Sequence, residues 1–453
     1  MKGFELDARF NAQHEGIEDL ALAVVPGGGI PTIQQIQQTG LGEEMADKIV
    51  QALTKGPVTS DQAIISEAPA TPTLEFVGRD YPEAMAGMEE YFLNQCWSDG
   101  FPLVPPTPEA IDRMLEFAGL PRDHVVGIVE PEASPATVEK IAINAVMAGC
   151  LPAYMPVLIA AVRAITDSNF DLRGVQCTAG LVSPLLVVSG SRLIEQLNIN
   201  DSFSAIGPGW RANSTIGRAI RLIMINIGNS WPGKNDMKSI GAPFKYVMLF
   251  GENEAGYDGT WEPIRVAEGF NKEQATVSVM PAFSWGLERV RPEEATVDKI
   301  TELLTRQAKA KYDSNAHSWG MDNLILLNPV TFETIRREGL SRKDVQTRLF
   351  EAARIPSYEF FEHHEPKPDY SLKSIPKELL DKCIKDPQTL VPLLEKPERA
   401  KIVVTGGTGP RLMAYVGTWG MGNSYFVTKP VDLPPNWDDL LKKYKIWETP
   451  IVR

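Results

Sequence analysis

Short, mainly apolar runs separated by amphipathic stretches constrain this chain most. Leu185–Val188, Tyr246–Phe250, Thr276–Val279, Asn323–Leu327 and Lys401–Thr405 each read as a short buried strand. Helical patterns fall between most of them, at Thr215–Ile227, Thr296–Lys311, Ser341–Ala353 and around Leu379–Asp386. Buried strands alternating with helices predict an α/β architecture, its sheet or sheets largely parallel and flanked by helices.

Upstream the pattern changes. Tyr81–Asn94 reads as a helix, and Pro108–Ala118 as another, with Thr107 as N-cap and Pro108 at the first helical position. Ser134-Pro135 repeats that device and predicts a helix running to Gly149, where glycine stops it. Ala153–Ile165 follows at once, so the two helices are expected to form a buried αα-hairpin. Residues 1–75 read as an N-terminal arm and linker, with a strand at Ala21–Val25, a Pro26-Gly27-Gly28-Gly29 turn, a helix from Pro31 and an Ala/Pro/Ser/Thr-rich linker at Ser60–Thr73. The turn lacks the Walker lysine and the full GxGxxG spacing, so no cofactor is implied and its identity is left open. The expected division is an arm at 1–75, a main α/β domain at 76–320 and a C-terminal α/β subdomain at 321–453.

Composition narrows the function. A formal net charge of −13 with no basic run argues against nucleic acid or an anionic membrane as partner. No stretch approaches the ~20 apolar residues of a membrane span, and no apolar leader is visible at the start. The four cysteines, Cys96, Cys150, Cys177 and Cys383, are widely spaced and contain no CxxC pair, which fits a reducing cytoplasm. None of the five histidines lies in a metal-ligand pattern, and no metal is expected.

Chemistry is expected in loops. Cys96–Thr107 places a thiol, an indole, Asp99, Gly100 and three prolines in twelve positions. The prolines make the backbone stiff, and Gly100 permits a sharp turn that presents the carboxylate. The same residues also fit an entry segment in which Trp97 plugs the core and Asp99 caps a helix. Gly207–Thr215 opens a helix beside Arg211, with Asn213, Ser214 or Thr215 as cap. A helix N-terminus next to a guanidinium favours a carboxylate or phosphate. Glu252-Asn253-Glu254 follows a strand, where two carboxylates can act as acid and base or hold a hard cation, or can simply be a solvated loop. Cys150, before Pro152, is either a thiol activated by a helix start or a small apolar packer. Cys177, His317 and the loops Thr405–Arg411 and Trp419–Asn423 are further candidates for a pocket built from strand ends.

Four stretches in order resemble one family. Trp97-Ser-Asp-Gly-Phe-Pro-Leu-Val-Pro-Pro-Thr107 matches a W-x-D-G-x-P-x-x-P-P-T signature, and Ala136–Cys150 with Pro152–Val157 is similar to a second block containing N-A-V-M-A-G-C. Gly207–Arg218 and Trp261–Phe270 are similar to later blocks. The resemblance covers roughly residues 90–430 and points to a poorly characterised bacterial family that carries the names UGSC-like and thioredoxin-like. With no Cys-Gly-Ser-Cys or CxxC in this chain, the names carry no redox role over to it. The resemblance places Asp99, Asn144, Cys150, Arg211 and Asn213 on motif positions.

These readings converge on a cytoplasmic enzyme for a small anionic, carboxylate-bearing substrate, using acid/base chemistry of the lyase or hydratase type. Asp99 and Cys150 are the expected catalytic residues, and Trp97, Asn144, Arg211, Asn213 and Glu252 the expected substrate contacts. The alternatives are a cysteine-dependent hydrolase and a non-catalytic binding or scaffold subunit. A homo-oligomer embraced by the N-terminal arm is expected in either case.

Overall fold

The computed structural model describes residues 47, 50 and 73–444, except 247, 315–319, 363–374 and 420–424. The expected strand, glycine turn, helix and linker of residues 1–72 therefore lie outside the described residues, as do His317 and most of Trp419–Asn423.

The chain enters through α1 (Tyr81–Asn94) and α2 (Pro108–Glu116). A two-stranded antiparallel ribbon follows, β1 (Val125–Val129) and β2 (Ser134–Thr137), then α3 (Val138–Ala148), α4 (Met155–Ile165) and α5 (Leu172–Cys177). The Ser134-Pro135 pair thus belongs to a strand and starts no helix. It is Thr137 whose side chain caps α3, accepting from the Lys140 N–H, while Gly149 closes the helix at φ +84°. Positive φ is the reason for glycine there. α3 and α4 are both almost wholly buried, but they lean on different partners. The main one for α3 is the later helix α7 (Arg211–Asn226), whereas α4 packs on the central sheet.

That sheet takes strands from the rest of the chain: β3 (Ser183–Ser189), β4 (Met248–Gly251), β5 (Thr276–Val290), β6 (Asn323–Leu327), β9 (Ala400–Val404), β10 (Arg411–Thr418) and β11 (Val427–Pro430). Their order is β4-β3-β5-β10-β6-β9, with β11 added along β5. Only β3/β4 and β6/β9 run parallel, and every pairing of β5 and β10 is antiparallel. The sheet is mixed, which corrects the expectation of a largely parallel one. Each half contributes a parallel pair and one antiparallel return strand, and the two return strands pair at the centre. Strands from both sides of the 320/321 division therefore share one sheet.

The sheet curls. Its two edge strands meet at their carboxyl ends, where the Asn253 N–H donates to the Val404 carbonyl at 2.8 Å. Alternate residues of six strands fill the concave side, among them Leu185, Phe250, Met280, Leu324, Val403 and Val416. The other faces pack on helices. α3, α4, α6 (Ser191–Leu197) and α7 cover β3 and the start of β5. On the second half sit α9 (Val297–Ser314), α10 (Pro329–Arg337) and α11 (Arg342–Ala352). The short α8 (Ile264–Ala267) precedes β5. The small β7 (Arg354–Pro356) and β8 (Leu390–Pro392) pair with each other beside α12 (Ser357–Glu362) and α13 (Lys377–Lys385), and α14 (Trp437–Tyr444) returns to the first half.

Candidate anion site on helix α7

Helix α7 organises the site. Its apolar residues bury one side into the core, while Arg218 reaches the Cys96–Thr107 loop and Arg221 the segment after the helix. The loop is pinned before it reaches the site. Trp97 N–H donates to Phe92 O at 2.8 Å, Leu103 N–H to the Glu89 carboxylate at 3.1 Å and Val104 N–H to Met147 O at 3.1 Å. Gly100, at φ +87°, makes the turn. Asp99 then meets Arg218 in a two-point ion pair, Nε to Oδ2 at 2.7 Å and Nη2 to Oδ1 at 2.8 Å. Arg218 also donates to Phe101 O and lies 5.5 Å from the centre of the Phe101 ring.

Beside this pair opens a cavity of about 550 Å³, lined among others by Ser98, Asp99, Arg221, Ser230, Asp236 and Lys245. Arg221 is 8% exposed, and burial pushes its guanidinium down to about 10. It donates to neutral acceptors, the Lys245 carbonyl at 2.6 Å and the Ser183 hydroxyl at 3.0 Å. Among the described residues it has no carboxylate partner, and these bonds use two of its five N–H groups. Asp236, by contrast, is flanked by two ammonium groups, Lys245 and Lys238. Lys238 is pushed down to about 8, chiefly by burial, while Asp236 opposes that shift. Its ammonium also donates to the carbonyls of Val175 and Gln176 at 2.9 and 3.0 Å. The Ser230 hydroxyl, 2% exposed, has no hydrogen-bond partner among the described residues. Counting Arg218, Arg221, Lys238 and Lys245 against Asp99 and Asp236, the cluster carries two net positive charges, buried where Coulomb terms are strong.

The expected site residues divide. Asp99 lines the cavity. Trp97 does not: it is 40% exposed and packs edge-on against Tyr91 and Phe92. Arg211, the first residue of α7, donates to Gly149 O at 2.9 Å, so its side chain ties α7 to the end of α3. Asn213 is no cap. Trp210 holds that position without a side-chain bond, and the Asn213 amide instead binds the backbone of Asn200, Ala205 and Leu249. Asn144 accepts from Asn226 at 2.6 Å and donates to Lys140 O, joining α3 to α7.

Cys150 lies against Thr215, near Arg211 and Arg218, yet burial pushes its thiol up to about 12. Pro152 begins a 3₁₀ turn that runs directly into α4 at Met155, so Cys150 does precede a helix start, and burial is the larger influence on its thiol. Burial disfavours the thiolate, so of the two readings of Cys150 the surroundings fit the small apolar packer better than the activated thiol.

Glu252 is neither a solvated loop residue nor a cavity residue. It is fully buried and accepts from the Ser189 hydroxyl, the Tyr257 hydroxyl at 2.7 Å and Ile264 N–H at 2.7 Å. Burial raises its carboxyl above the usual range. Glu254 pairs with Arg265, whose Nη1 also donates to Ser189. Tyr257 in turn accepts from Val404 N–H at 3.1 Å, so this network buttons the curled sheet where its edges meet. The Thr405–Arg411 loop joins the same place, with Thr405 donating to Gly251 O and Asn328 to Pro410 O.

Arg221, Ser230, Asp236, Lys238 and Lys245 were not anticipated. The signal for Arg221 was present: an arginine inside a run of Ile, Leu and Met on a helix has no solvent to reach. Among the described residues no cluster of three His, Cys, Asp or Glu side chains is placed to hold a metal, and no helix is long and apolar enough to cross a membrane. Neither a protein-family model nor a curated protein matches the chain.

Proposed function

We propose that this protein is an enzyme for a small, carboxylate-bearing organic molecule, bound in the cavity beside α7 and processed by acid/base chemistry of the lyase or hydratase type. One observation carries the reading: Arg221 is a buried guanidinium with no direct ion pair to a carboxylate among the described residues, on the wall of a cavity large enough for a small molecule. Asp236 and Asp99 act on this charge only through space, so its guanidinium keeps N–H groups free for an entering carboxylate that would pair with it directly. Lys245 and the Ser230 hydroxyl supply further donors. Asp99 is the group to move a proton, because it lines the same cavity and Arg218 fixes its direction. The burial of Cys150, which disfavours its thiolate, weighs against the hydrolase alternative.

Native mass spectrometry of the purified protein, followed by calorimetric titration with a panel of carboxylates, tests this. A retained or titrated organic anion that is lost in Arg221→Met and kept in Arg211→Ala supports the assignment. Equal binding by wild type and Arg221→Met refutes it.

A further inference from the structure

The cavity is graded from charge to grease. Its deep residues are mainly polar: Ser230 is 2% exposed, Asp236 4% and Arg221 8%. Its outer residues are apolar and open, with Ile240 at 91% exposed and Tyr246 at 60%. Trp231 and Pro243 add to the apolar wall, and Ile225, 7% exposed, is an apolar residue at the depth of Arg221. Phe101, next but one to Asp99, extends the rim, its ring centre 5.2 Å from that of Tyr246. A site for a bare small anion such as acetate needs neither a volume of about 550 Å³ nor an aromatic mouth.

We infer that the ligand is an amphipathic organic anion: a carboxylate head seated on Arg221, Lys245 and the partnerless Ser230 hydroxyl, with an aromatic or branched apolar tail against Trp231, Ile240 and Tyr246. This rests on the anion-binding reading above and goes beyond it by naming the substrate class. The apolar rim contributes affinity only when covered, since removing exposed hydrocarbon from water is the favourable step. The buried head group sets the charge requirement, because a neutral isostere leaves Arg221 as it was.

Titration calorimetry with acetate, phenylacetate and phenylacetamide on the full chain tests it. Phenylacetate is expected to bind roughly tenfold or more tighter than acetate, and phenylacetamide at least as weakly as acetate. Ile240→Ser and Tyr246→Ala, both at exposed positions, are expected to remove the advantage of phenylacetate and leave acetate unchanged. Equal affinities for acetate and phenylacetate overturn the inference while the anion site stands. Equal affinities for phenylacetate and phenylacetamide overturn both, as does the absence of binding by all three.

Discussion

Severing the Asp99–Arg218 pair tests whether the Cys96–Thr107 loop is held by charge. The Asp99 side chain is 4% exposed and that of Arg218 20%, so both ends are largely out of water. Removing one partner of a buried pair costs roughly 3–5 kcal/mol, because the other charge is stranded. The fifth of Arg218 still at the surface lets a stranded guanidinium reach solvent, which puts Asp99→Ala nearer roughly 2–3 kcal/mol. Arg218→Met strands the more buried carboxylate and is expected to cost more, roughly 3–4 kcal/mol. Its methionine keeps part of the contact with the Phe101 ring. The double variant leaves no orphan, so its loss falls short of the sum by about 1–3 kcal/mol. Urea denaturation followed by far-ultraviolet circular dichroism and tryptophan fluorescence measures all three. Strictly additive losses, or single losses below about 0.5 kcal/mol, refute the pairing as the fastening of this loop.

Three further outcomes follow from the same geometry. Iodoacetamide applied to the native protein at pH 8 leaves Cys150 unmodified by peptide mass analysis, because its thiol is buried and pushed up to about 12; rapid labelling contradicts that placement. Affinity for a carboxylate ligand falls as pH rises through about 8, where Lys238 loses its proton and the cluster facing Asp236, Lys245 and Arg221 drops by one positive charge. Lys238→Met flattens that step, and a wild-type titration that is level from neutral pH to mildly alkaline pH contradicts it. Gly228→Ala destabilises by roughly 1–3 kcal/mol in thermal or urea melts. A methyl there would stand 2.5 Å from Glu130 O and 2.9 Å from Met224 O, both backbone atoms, so neutrality of that variant contradicts the close packing after α7.

Much of the local structure was readable from the chain. Thr107 and Ser341 were placed correctly as helix starts because a cap is a hydrogen bond to an N–H three residues away, so its evidence is contiguous. Asn323–Leu327 was read to the residue, since its four consecutive aliphatics are bounded on each side by an asparagine. β5 was cut short at Val279, although it continues to Val290. Pro281 reads as a strand breaker, yet its missing donor is harmless beside the ladder irregularity where Thr418 pairs with Ala282.

Tertiary structure alone settled strand direction and the composition of the site. Apolar runs look alike in parallel and antiparallel pairings, so only long-range hydrogen bonds decide between them. Glu252 looked solvated because its sequence neighbours are polar; its burial comes from Ser189, Tyr257 and Ile264 arriving around it. Asp99 was singled out from its stiff loop, whereas the Arg218 it pairs with lies 119 residues away on α7. Local sequence thus determined where helices and strands begin and which residues could carry charge into a loop. Which charges face one another, which stay protonated and which line a cavity are set by desolvation and by contacts between segments distant in the chain, and these exist only once it has folded.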